Sequence, residues 1–211
     1  TLFANNFAKE AGGAIFNQGD TQIINCTFYG NSADSRGKVI QNYQSSTLSL
    51  KNSIIWGSTG SASTIIDDWA YGGVATSHTV TYSLIEGGHA GTGNISSDPQ
   101  FVSTADLNGT DGIWITNDDG LLLQAGSPAI DTGDPSSSND SDGTRADMGY
   151  RPWAGNYITP GTKLWEFAAG DDVLPAPAIG PDGTVYFGSQ DIKVYALDAN
   201  GTKKWEHNEA G

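Results

Sequence analysis

The stretch Thr21-Gln-Ile-Ile-Asn-Cys-Thr-Phe-Tyr-Gly-Asn-Ser-Ala-Asp34 is the basis of the fold prediction, because other parts of the chain repeat it. An ungapped offset of 25 residues (28 − 3) places identical residues on one another. The pairs are Phe3/Phe28, Asn6/Asn31, Ala8/Ala33, Gly12/Gly37, Ile15/Ile40 and Asn17/Asn42. Looser copies follow from Asn52 and Tyr82, so the offset grows to 27 (52 − 25) and then to 30 (82 − 52). A period in the twenties predicts stacked supersecondary units.

Two repeat classes have this period, leucine-rich repeats and parallel β-helices. Leucine is sparse in the units, which carry short alternating or β-branched runs separated by Gly, Asn and Ser. We therefore expect one β-helical coil per unit, with a β-sandwich as the alternative. Ile15/Ile40 and Phe3/Phe28/Ile55 are expected to stack inward. The pairs Asn17/Asn42 and Asn6/Asn31 are expected at corners, hydrogen-bonded along the stack.

The composition favours an all-β protein and excludes several classes of partner. Hydrophobic residues make up 37% and charged residues only 16%, with 6 Trp, 8 Tyr and 7 Phe, which is not the composition of a disordered chain. The formal net charge of −14 argues against nucleic acid and anionic membrane surfaces as partners. No apolar run reaches membrane-spanning length. Cys26, the single cysteine, is expected to be a packing residue, and Thr1 falls in mid-repeat, which indicates a fragment or processed product.

A long excursion separates the second and third recognisable coils. It runs from Ser58 to His78 and contains Ile-Ile-Asp-Asp-Trp-Ala-Tyr at 65–71. Two interpretations remain open, a binding feature on the side of the solenoid or an ordinary coil that has diverged.

Three motifs follow the coils. They are Asp-Pro-Gln-Phe at 98–101, Gly-Ser-Pro-Ala-Ile-Asp-Thr-Gly at 126–133, and Asp-Ser-Asp-Gly from 140 with Arg145 and Asp-Met-Gly-Tyr at 147–150. Together they resemble the C-terminal module, often called a choice-of-anchor domain, that closes many right-handed parallel β-helices of bacterial surface proteins. The resemblance covers about residues 1–151. It implies right-handed β-helix coils over 1–96 and a β-rich, anchor-like terminal module over 97–151.

A linker and a second repeat complete the chain. Residues 152–161 are framed by prolines and glycines, and Lys-Leu-Trp-Glu-Phe at 163–167 recurs as Lys-Lys-Trp-Glu-His at 203–207, a spacing of 40 (205 − 165). Short predicted strands joined by Asp-Gly and Asn-Gly turns indicate one four-stranded blade over 162–211. The sequence resembles the quinoprotein-type (PQQ-like) β-propeller repeat. Trp165 and Trp205 are expected to pack, and a single blade leads us to expect no quinone.

Unpaired strand edges predict self-assembly. A solitary blade cannot close a propeller, and an open coil exposes backbone groups that recruit other strands. Different edges at the two ends favour head-to-tail contacts, which make filaments when they do not close. The residues expected to take part are Thr1, Leu2, Phe3, Trp165, Val185, Tyr186, Val194, Tyr195 and Trp205.

An acidic stretch suggests a calcium site. Five aspartates fall close together in the terminal module: Asp131, Asp134, Asp140, Asp142 and Asp147. Calcium takes six to eight oxygen ligands, and Asp-x-Asp-Gly puts two carboxylates on one tight turn. Solvated turn carboxylates are the alternative, as is pairing of Arg145 with Asp147.

An enzyme is the less favoured interpretation of the coils. Asp67 and Asp68 are the one carboxylate pair suited to a polysaccharide lyase or hydrolase, with Trp69 and Tyr71 as sugar platforms. Adjacent aspartates point to opposite sides of a strand, however. The available bases and helper groups match no family signature: Lys9, Arg36, Lys38, Lys51, Glu86 and His89. His78, His89 and His207 show no metal-binding spacing and are expected to be surface or turn residues.

Taken together, the residues predict a non-catalytic structural or adhesive protein, secreted or displayed on a prokaryotic cell surface, that assembles with copies of itself. The first alternative is a monomeric adhesin or glycan-binding solenoid from a larger protein. The second is a fragment of a polysaccharide lyase or hydrolase.

Overall fold

The computed structural model describes residues 1–153, 165–174, 177–180, 183–198 and 201–208. The chain divides into two compact units, Thr1–Tyr157 and Ile158–Gly211. In these described ranges, no helix has the length and apolarity needed to cross a bilayer.

The first unit contains a β-solenoid of about three turns. Its strands are β1 Leu2–Ala4, β2 Phe7–Ala8, β3 Ile15–Asn17, β4 Asp20–Ile24, β5 Thr27–Tyr29, β6 Ser32–Ala33, β7 Ile40–Tyr43, β8 Thr47–Lys51, β9 Ile54–Trp56, β10 Ile66–Trp69, β11 Ser77–Thr81 and β12 Leu84–Ile85, with a 3₁₀ turn at Tyr71–Gly73. Strands from successive coils pair in parallel to give the sheets β1-β5-β9-β12, β3-β7-β10, β4-β8-β11 and β2-β6.

Strand register confirms the repeat. Phe3 pairs with Phe28 and Phe28 with Ile55, while Ile15 pairs with Ile40 as predicted. The same column continues to Ile66, because β10 pairs with β7. The growing offset is therefore taken up by the turns between strands, which lie at the surface and tolerate insertions.

The excursion at 58–78 is a diverged coil rather than an added feature. Ile66–Trp69 pairs with Ile40–Tyr43, and Ser77–Thr81 pairs with Thr47–Lys51. Between the two strands, the chain leaves the coil only briefly, through the short turn at Tyr71–Gly73.

The inward positions form one apolar core. The Phe3 and Phe28 rings stack with centroids 4.7 Å apart and an interplanar angle of 3°. Cys26 is buried in the same core, so its interpretation as a packing residue is confirmed. The buried members are Ile23, Cys26, Phe28, Val39, Ile40, Leu48, Leu50, Ile55, Ile66, Val80 and Ile85.

A column of small polar residues links the coils at one corner. The backbone N–H of Cys26 donates to Ser53 Oγ (3.2 Å), and that of Ser53 donates to Ser83 Oγ (3.2 Å). Asn94 ends the column, because its Oδ1 accepts from the Ser83 N–H (3.1 Å) and its Nδ2 donates to Val80 O (2.9 Å). The chain thus covers part of the third coil with its own next turn.

The segment 97–153 packs on the outer face of the sheet β1-β5-β9-β12. The second apolar cluster joins Ile54 and Leu84 of the sheet to residues of the segment: Phe101, Leu121, Leu123, Ala129 and Met148. The sequence predicted a β-rich module here, and this expectation is corrected. Within the described segment 97–153, strand-type pairing is limited to a single-residue bridge between Phe101 and Leu123. Glycine, proline and aspartate favour turns and side-chain hydrogen bonds over strand ladders.

The second unit is an antiparallel four-stranded sheet, as predicted. Its strands are β13 Ala178–Ile179, β14 Val185–Ser189, β15 Lys193–Leu197 and β16 Lys203–Asn208, in that spatial order. Glycines close two turns, because Gly183 N–H donates to Gly180 O and Gly201 N–H to Asp198 O, both at 3.0 Å. The predicted linker 152–161 lies outside the described residues except for Pro152 and Trp153, and Trp153 packs against the second cluster of the first unit.

Candidate functional site on the outer face of the solenoid

Four aromatic side chains form a row beside the sheet β3-β7-β10, and we call Phe16, Tyr43, Trp69 and Tyr71 the aromatic row. Tyr43 and Trp69 are register partners in neighbouring coils, so their side chains leave the sheet on the same side, with centroids 5.3 Å apart. Phe16 lies 5.4 Å from Tyr43, and Tyr71 lies 5.9 Å from Trp69. Phe16 is 48% exposed and Tyr71 57% exposed. The row is therefore an exposed apolar surface that runs across three coils.

A charged pair borders the aromatic row. The Arg36 guanidinium carbon lies 4.1 Å from the centroid of the Trp69 ring, within the range of a cation–π contact. The same guanidinium forms an ion pair with Asp67 at 3.5 Å. Arg36 was considered as a base from the sequence, and the structure places it as a contact of the sugar-platform candidate Trp69.

Asp67 and Asp68 have separate partners. Asp67 faces Arg36, whereas Asp68 Oδ1 accepts from Asn42 Nδ2 at 2.9 Å on the other side of β10. This is the expected consequence of strand alternation. The helper candidate Glu86 accepts from the backbone N–H of Ser58 at 3.2 Å.

Asparagine ladders connect the coils at the predicted corners. Asn17 Nδ2 donates to Asn42 Oδ1 (2.7 Å), and Asn6 Nδ2 donates to Asn31 Oδ1 (2.9 Å). Asp68 occupies the position of Asn42 and Asn17 in the third coil. The ladder therefore ends on a carboxylate instead of an amide.

Two histidines whose sequence spacing suggested no shared site meet next to this carboxylate. His78 Nδ1 lies 2.8 Å from Asp68 Oδ2, and His78 Nε2 lies 2.8 Å from His89 Nε2. A turn after β12, closed by the bond from Gly88 N–H to Ile85 O (2.9 Å), returns the chain toward His78. Sequence spacing could not show this contact, because it depends on where a later turn crosses the third coil.

Three of the calcium-candidate aspartates are connected through backbone amides. Asp147 is only 5% exposed, and its carboxylate accepts from the N–H groups of Asp131 (2.7 Å) and Trp153 (2.6 Å). Asp140 in turn accepts from the N–H of Asp147 (2.7 Å). Burial raises the pKa of Asp147 and of Asp140, and neighbouring carboxylate charges raise both further.

The other two aspartates accept hydrogen bonds from the residues two positions later, Ser136 and Thr144, and so fix local turns. Hydrogen bonds from the backbone and side chain of Ser136, together with the Lys51 ammonium at 3.1 Å, lower the pKa of Asp134 to about 2. Hydrogen bonds from the backbone and side chain of Thr144 lower the pKa of Asp142. Within the described ranges, no group of three or more His, Cys, Asp or Glu residues is arranged to hold a metal ion. The calcium site stays a prediction.

Arg145 does not pair with Asp147 as the sequence suggested. Its Nε donates to Gly133 O (2.6 Å), and one terminal nitrogen donates to Thr132 O (3.2 Å). The guanidinium therefore fixes the turn that follows the second motif. Arg145 therefore uses two carbonyl oxygens of that turn as acceptors. The Asp147 carboxylate instead accepts hydrogen bonds from backbone N–H groups.

The assembly candidates of the first coil line an open groove. Thr1, Leu2 and Phe3 line a groove of about 500 Å³ together with Trp114 and Ile115. Trp114 is 45% exposed and Ile115 66% exposed. The segment 97–153 thus contributes apolar surface next to β1.

The assembly candidates of the second unit differ in exposure. Tyr195 is buried and packs against Phe167 (5.2 Å), so its ring is not offered to a partner. Val185, Tyr186, Val194 and Trp165 are partly buried. Trp205 was expected to pack but is 45% exposed, with Tyr186 at 5.9 Å.

Comparisons with known proteins bear on the first coil. Residues 1–18 match the family model described as the Chlamydia polymorphic membrane protein repeat. A search of curated proteins finds no match to the chain. The matched residues contain β1, β2 and β3. The family comparison and the structure therefore agree that this part of the chain is a β-helix-type repeat.

Proposed function

We propose that the chain is a non-catalytic part of a cell-surface β-solenoid and that it binds extracellular glycans through the aromatic row. The observation that carries the proposal is the continuous contact of four rings on one outer face, of which Phe16 and Tyr71 are exposed and Tyr43 and Trp69 partly buried. The four rings are contiguous, and contiguous exposed apolar patches mark interaction sites. Sugar rings have flat CH faces that pack on aromatic rings, while the hydroxyl groups at the edges of the sugar remain hydrated.

The charges favour neutral glycans over acidic ones. The chain carries a formal net charge of −14, which repels polyanions at a distance. At the row itself, Arg36 and Asp67 offer a donor and an acceptor beside the Trp69 ring. Hydroxyl groups can satisfy both without adding charge.

Location at the surface is supported by two independent resemblances. The repeat at residues 1–18 is similar to one from polymorphic membrane proteins of Chlamydia. The motifs at 98–101, 126–133 and 140–150 are similar to the choice-of-anchor module, and the structure brings them together. Ser127 Oγ of the second motif donates to Pro99 O of the first (2.6 Å), and Asp131 N–H donates to Asp147 of the third (2.7 Å).

Glycan binding is tested by affinity electrophoresis in neutral polysaccharides, with tryptophan fluorescence as a second readout. Trp69→Ala is expected to weaken binding about tenfold or more, because central aromatic residues dominate such interfaces. Trp114→Ala is the matched control, since Trp114 is also exposed in the first unit but lies away from the row. Equal binding by both variants, or no retardation of the unmodified chain, would refute the proposal.

The absence of catalysis is a separate part of the proposal. It is supported by the different partners of Asp67 and Asp68, which leave no two carboxylates facing one substrate position among the described residues of β10. Incubation of the chain with uronate polymers is expected to release no unsaturated or reducing ends. Product release that disappears in Asp67→Asn or Asp68→Asn would establish the enzyme alternative.

Self-assembly is the second proposed function, and the exposed face of the second unit favours it. Trp205 is 45% exposed and Ile179 75% exposed on the sheet of this unit. The sheet resembles one propeller-type blade, for which we propose no quinone cofactor. Unpaired apolar sheet faces and edges recruit copies of the same chain. Light scattering after gel filtration is expected to show a molar mass that rises with protein concentration. Trp205→Ala should reduce this rise. Ile192→Ala, at an exposed turn, is the control, and a constant monomer mass at high concentration would exclude assembly.

We propose that the aspartates at 131–147 bind a structural calcium ion. Thermal unfolding in calcium is expected to occur at a higher temperature than in a chelator, because ligands that bind the folded state stabilise it. Identical unfolding in both conditions would remove calcium from the proposal.

A further inference from the structure

The contact between His78 and His89 has an unusual arrangement of hydrogen-bond partners. The Nε2 atoms of the two rings are 2.8 Å apart. On the far side of each ring, Nδ1 faces an oxygen. His78 Nδ1 lies 2.8 Å from Asp68 Oδ2, and His89 Nδ1 lies 2.7 Å from Ala90 O.

These oxygens determine where the ring protons lie. A carbonyl oxygen only accepts hydrogen bonds, so Nδ1 of His89 carries the hydrogen. A carboxylate also only accepts, so Nδ1 of His78 carries the hydrogen in the bond to Asp68. Two neutral rings of this tautomer direct the lone pairs of both Nε2 atoms at each other. Lone pairs at 2.8 Å repel, and a cation between them converts the repulsion into attraction.

We infer that the two Nε2 atoms form a binding site for a divalent transition-metal ion of the zinc class. Neutral imidazole nitrogen is the commonest protein ligand of such ions. In tetrahedral geometry with bonds of about 2.0–2.1 Å, two nitrogen ligands lie about 3.3 Å apart. The two Nε2 atoms therefore need to separate by about 0.5 Å from their distance of 2.8 Å, and both rings need to turn so that their lone pairs converge on the metal instead of facing each other. The His78 side chain is 18% exposed, which lets water complete the coordination.

Asp68 is the positioning residue of this site. A carboxylate that accepts from the distal nitrogen of a ligating histidine fixes its tautomer and raises its basicity. Asp68 is itself fixed, because Oδ1 accepts from Asn42 Nδ2 (2.9 Å), and Asn42 accepts from Asn17 (2.7 Å). The first two coils thus hold the carboxylate that orients His78.

The site is tested on the full 211-residue chain, freed of metal and titrated with zinc by calorimetry. We expect saturable binding of one zinc ion per chain. His78→Gln and His89→Gln should each weaken binding at least about tenfold, because each removes one of two protein ligands. Cobalt provides a second readout, since ligation by the imidazoles should produce visible absorption bands that both variants lose. His207→Gln is the matched control, because His207 lies in the second unit.

Asp68→Asn separates positioning from folding. Asparagine stands at the same ladder position in the first two coils, so the variant is expected to keep the coil stack and its circular dichroism spectrum. Loss of the carboxylate should still weaken zinc binding about 10–100-fold. This variant decides the matter even if a histidine variant fails to fold.

Three results would overturn the inference. The first is an absence of zinc binding by the unmodified chain, which would mean that the pair holds a proton only. The second is unchanged zinc binding in both histidine variants, which would assign the binding to loose association with the acidic surface. The third is equally tight binding by Asp68→Asn and the unmodified chain, which would remove the supporting role of the carboxylate.

Discussion

The coils and the segment 97–153 that packs on them are built in different ways. In the coils, a residue contacts its counterpart in the next coil, as Phe3 contacts Phe28 and Asn17 contacts Asn42. In the segment, single side chains bind backbone groups, as Asp147 accepts from Asp131 and Trp153. The coils therefore repeat one local solution, whereas each contact of the segment occurs once.

This difference indicates how each region is stabilised. Stacked repeats gain stability from the interfaces between neighbouring units, so a change in one coil affects the coils on either side. The segment is fixed to the stack at a few points, such as Asn52, which accepts from the N–H groups of Asp134 (2.7 Å) and Gly149 (2.8 Å). Substitutions in the coils and in the segment test this difference.

The largest effect is expected from Phe28→Ala in the centre of the stack. Phe28 is fully buried between Phe3 and Ile55, and truncation of a buried phenylalanine costs about 3–5 kcal/mol. Urea unfolding followed by circular dichroism measures the loss. Phe7→Ala is the control, because Phe7 is 65% exposed in the first coil and should change stability by less than about 0.5 kcal/mol. Similar losses in both variants would contradict the inward assignment.

Asn42→Ala should have the next largest effect, because it removes the middle of the ladder. Asn42 is fully buried, donates to Asp68 and Ser77, and accepts from Asn17 and Ser46. Groups left unsatisfied in the interior predict a loss of about 2–3 kcal/mol in unfolding free energy.

The matched variant for the ladder is Asn139→Ala in the segment. Asn139 is exposed and donates to Gly143 O (2.7 Å), so its loss should change the urea midpoint only slightly. If the two variants unfold at the same midpoint, the ladder does not stabilise the coils.

A smaller loss of unfolding free energy, about 1–2 kcal/mol, is expected from Gly37→Ala. The φ angle of Gly37 is 50°, a left-handed conformation that costs an L-residue about this much, and an added Cβ would lie 2.2 Å from Ile40 O. Gly12 has the same surroundings in the first coil, with Ile15 O at 2.2 Å. Gly19→Ala is the control, since a Cβ there meets nothing within 4 Å. Thermal unfolding of both variants should separate them clearly.

The smallest effect concerns acid stability, to which we expect the aspartates of the segment to contribute. Because the folded pKa of Asp134 is lowered to about 2 from 3.8, its contribution is present above pH 3.8 and is lost as the pH falls toward 2. Asp118, whose pKa Thr116 and Thr110 lower to about 2, acts in the same direction. Asp134→Asn should therefore flatten the decline of the unfolding temperature between pH 4 and pH 2.

Asp147 provides the opposite sign within the same segment. Because the pKa of Asp147 is raised in the folded state, the folded state binds more protons than the unfolded state. The stabilisation from the protonated carboxyl is therefore present below pH 3.8 and is lost as the pH rises through the raised pKa. Asp147→Asn should remove this part of the pH dependence. A slope that does not change in either variant would show that these carboxylates do not control acid unfolding.

The candidate site was only partly predictable from the sequence. Trp69 and Tyr71 were candidates for sugar platforms, but their neighbours Phe16 and Tyr43 belong to earlier coils and carry no local signal. Arg36 reaches Trp69 through the stack, 33 residues along the chain (69 − 36). A long side chain reaches across coils only after the register is set, which single-sequence patterns do not describe.

The repeat in the sequence was enough to predict the coil stack, because identical residues at a fixed offset pack best when they lie over one another. The four-stranded sheet of the second unit was likewise predictable, because Asp-Gly and Asn-Gly turns separate its short strands. The tertiary structure alone decided that the segment 97–153 covers the sheet β1-β5-β9-β12 without forming strands, and that His78 meets His89 beside Asp68. Those contacts join residues of different local patterns, and only the three-dimensional path of the turns brings them within bonding distance.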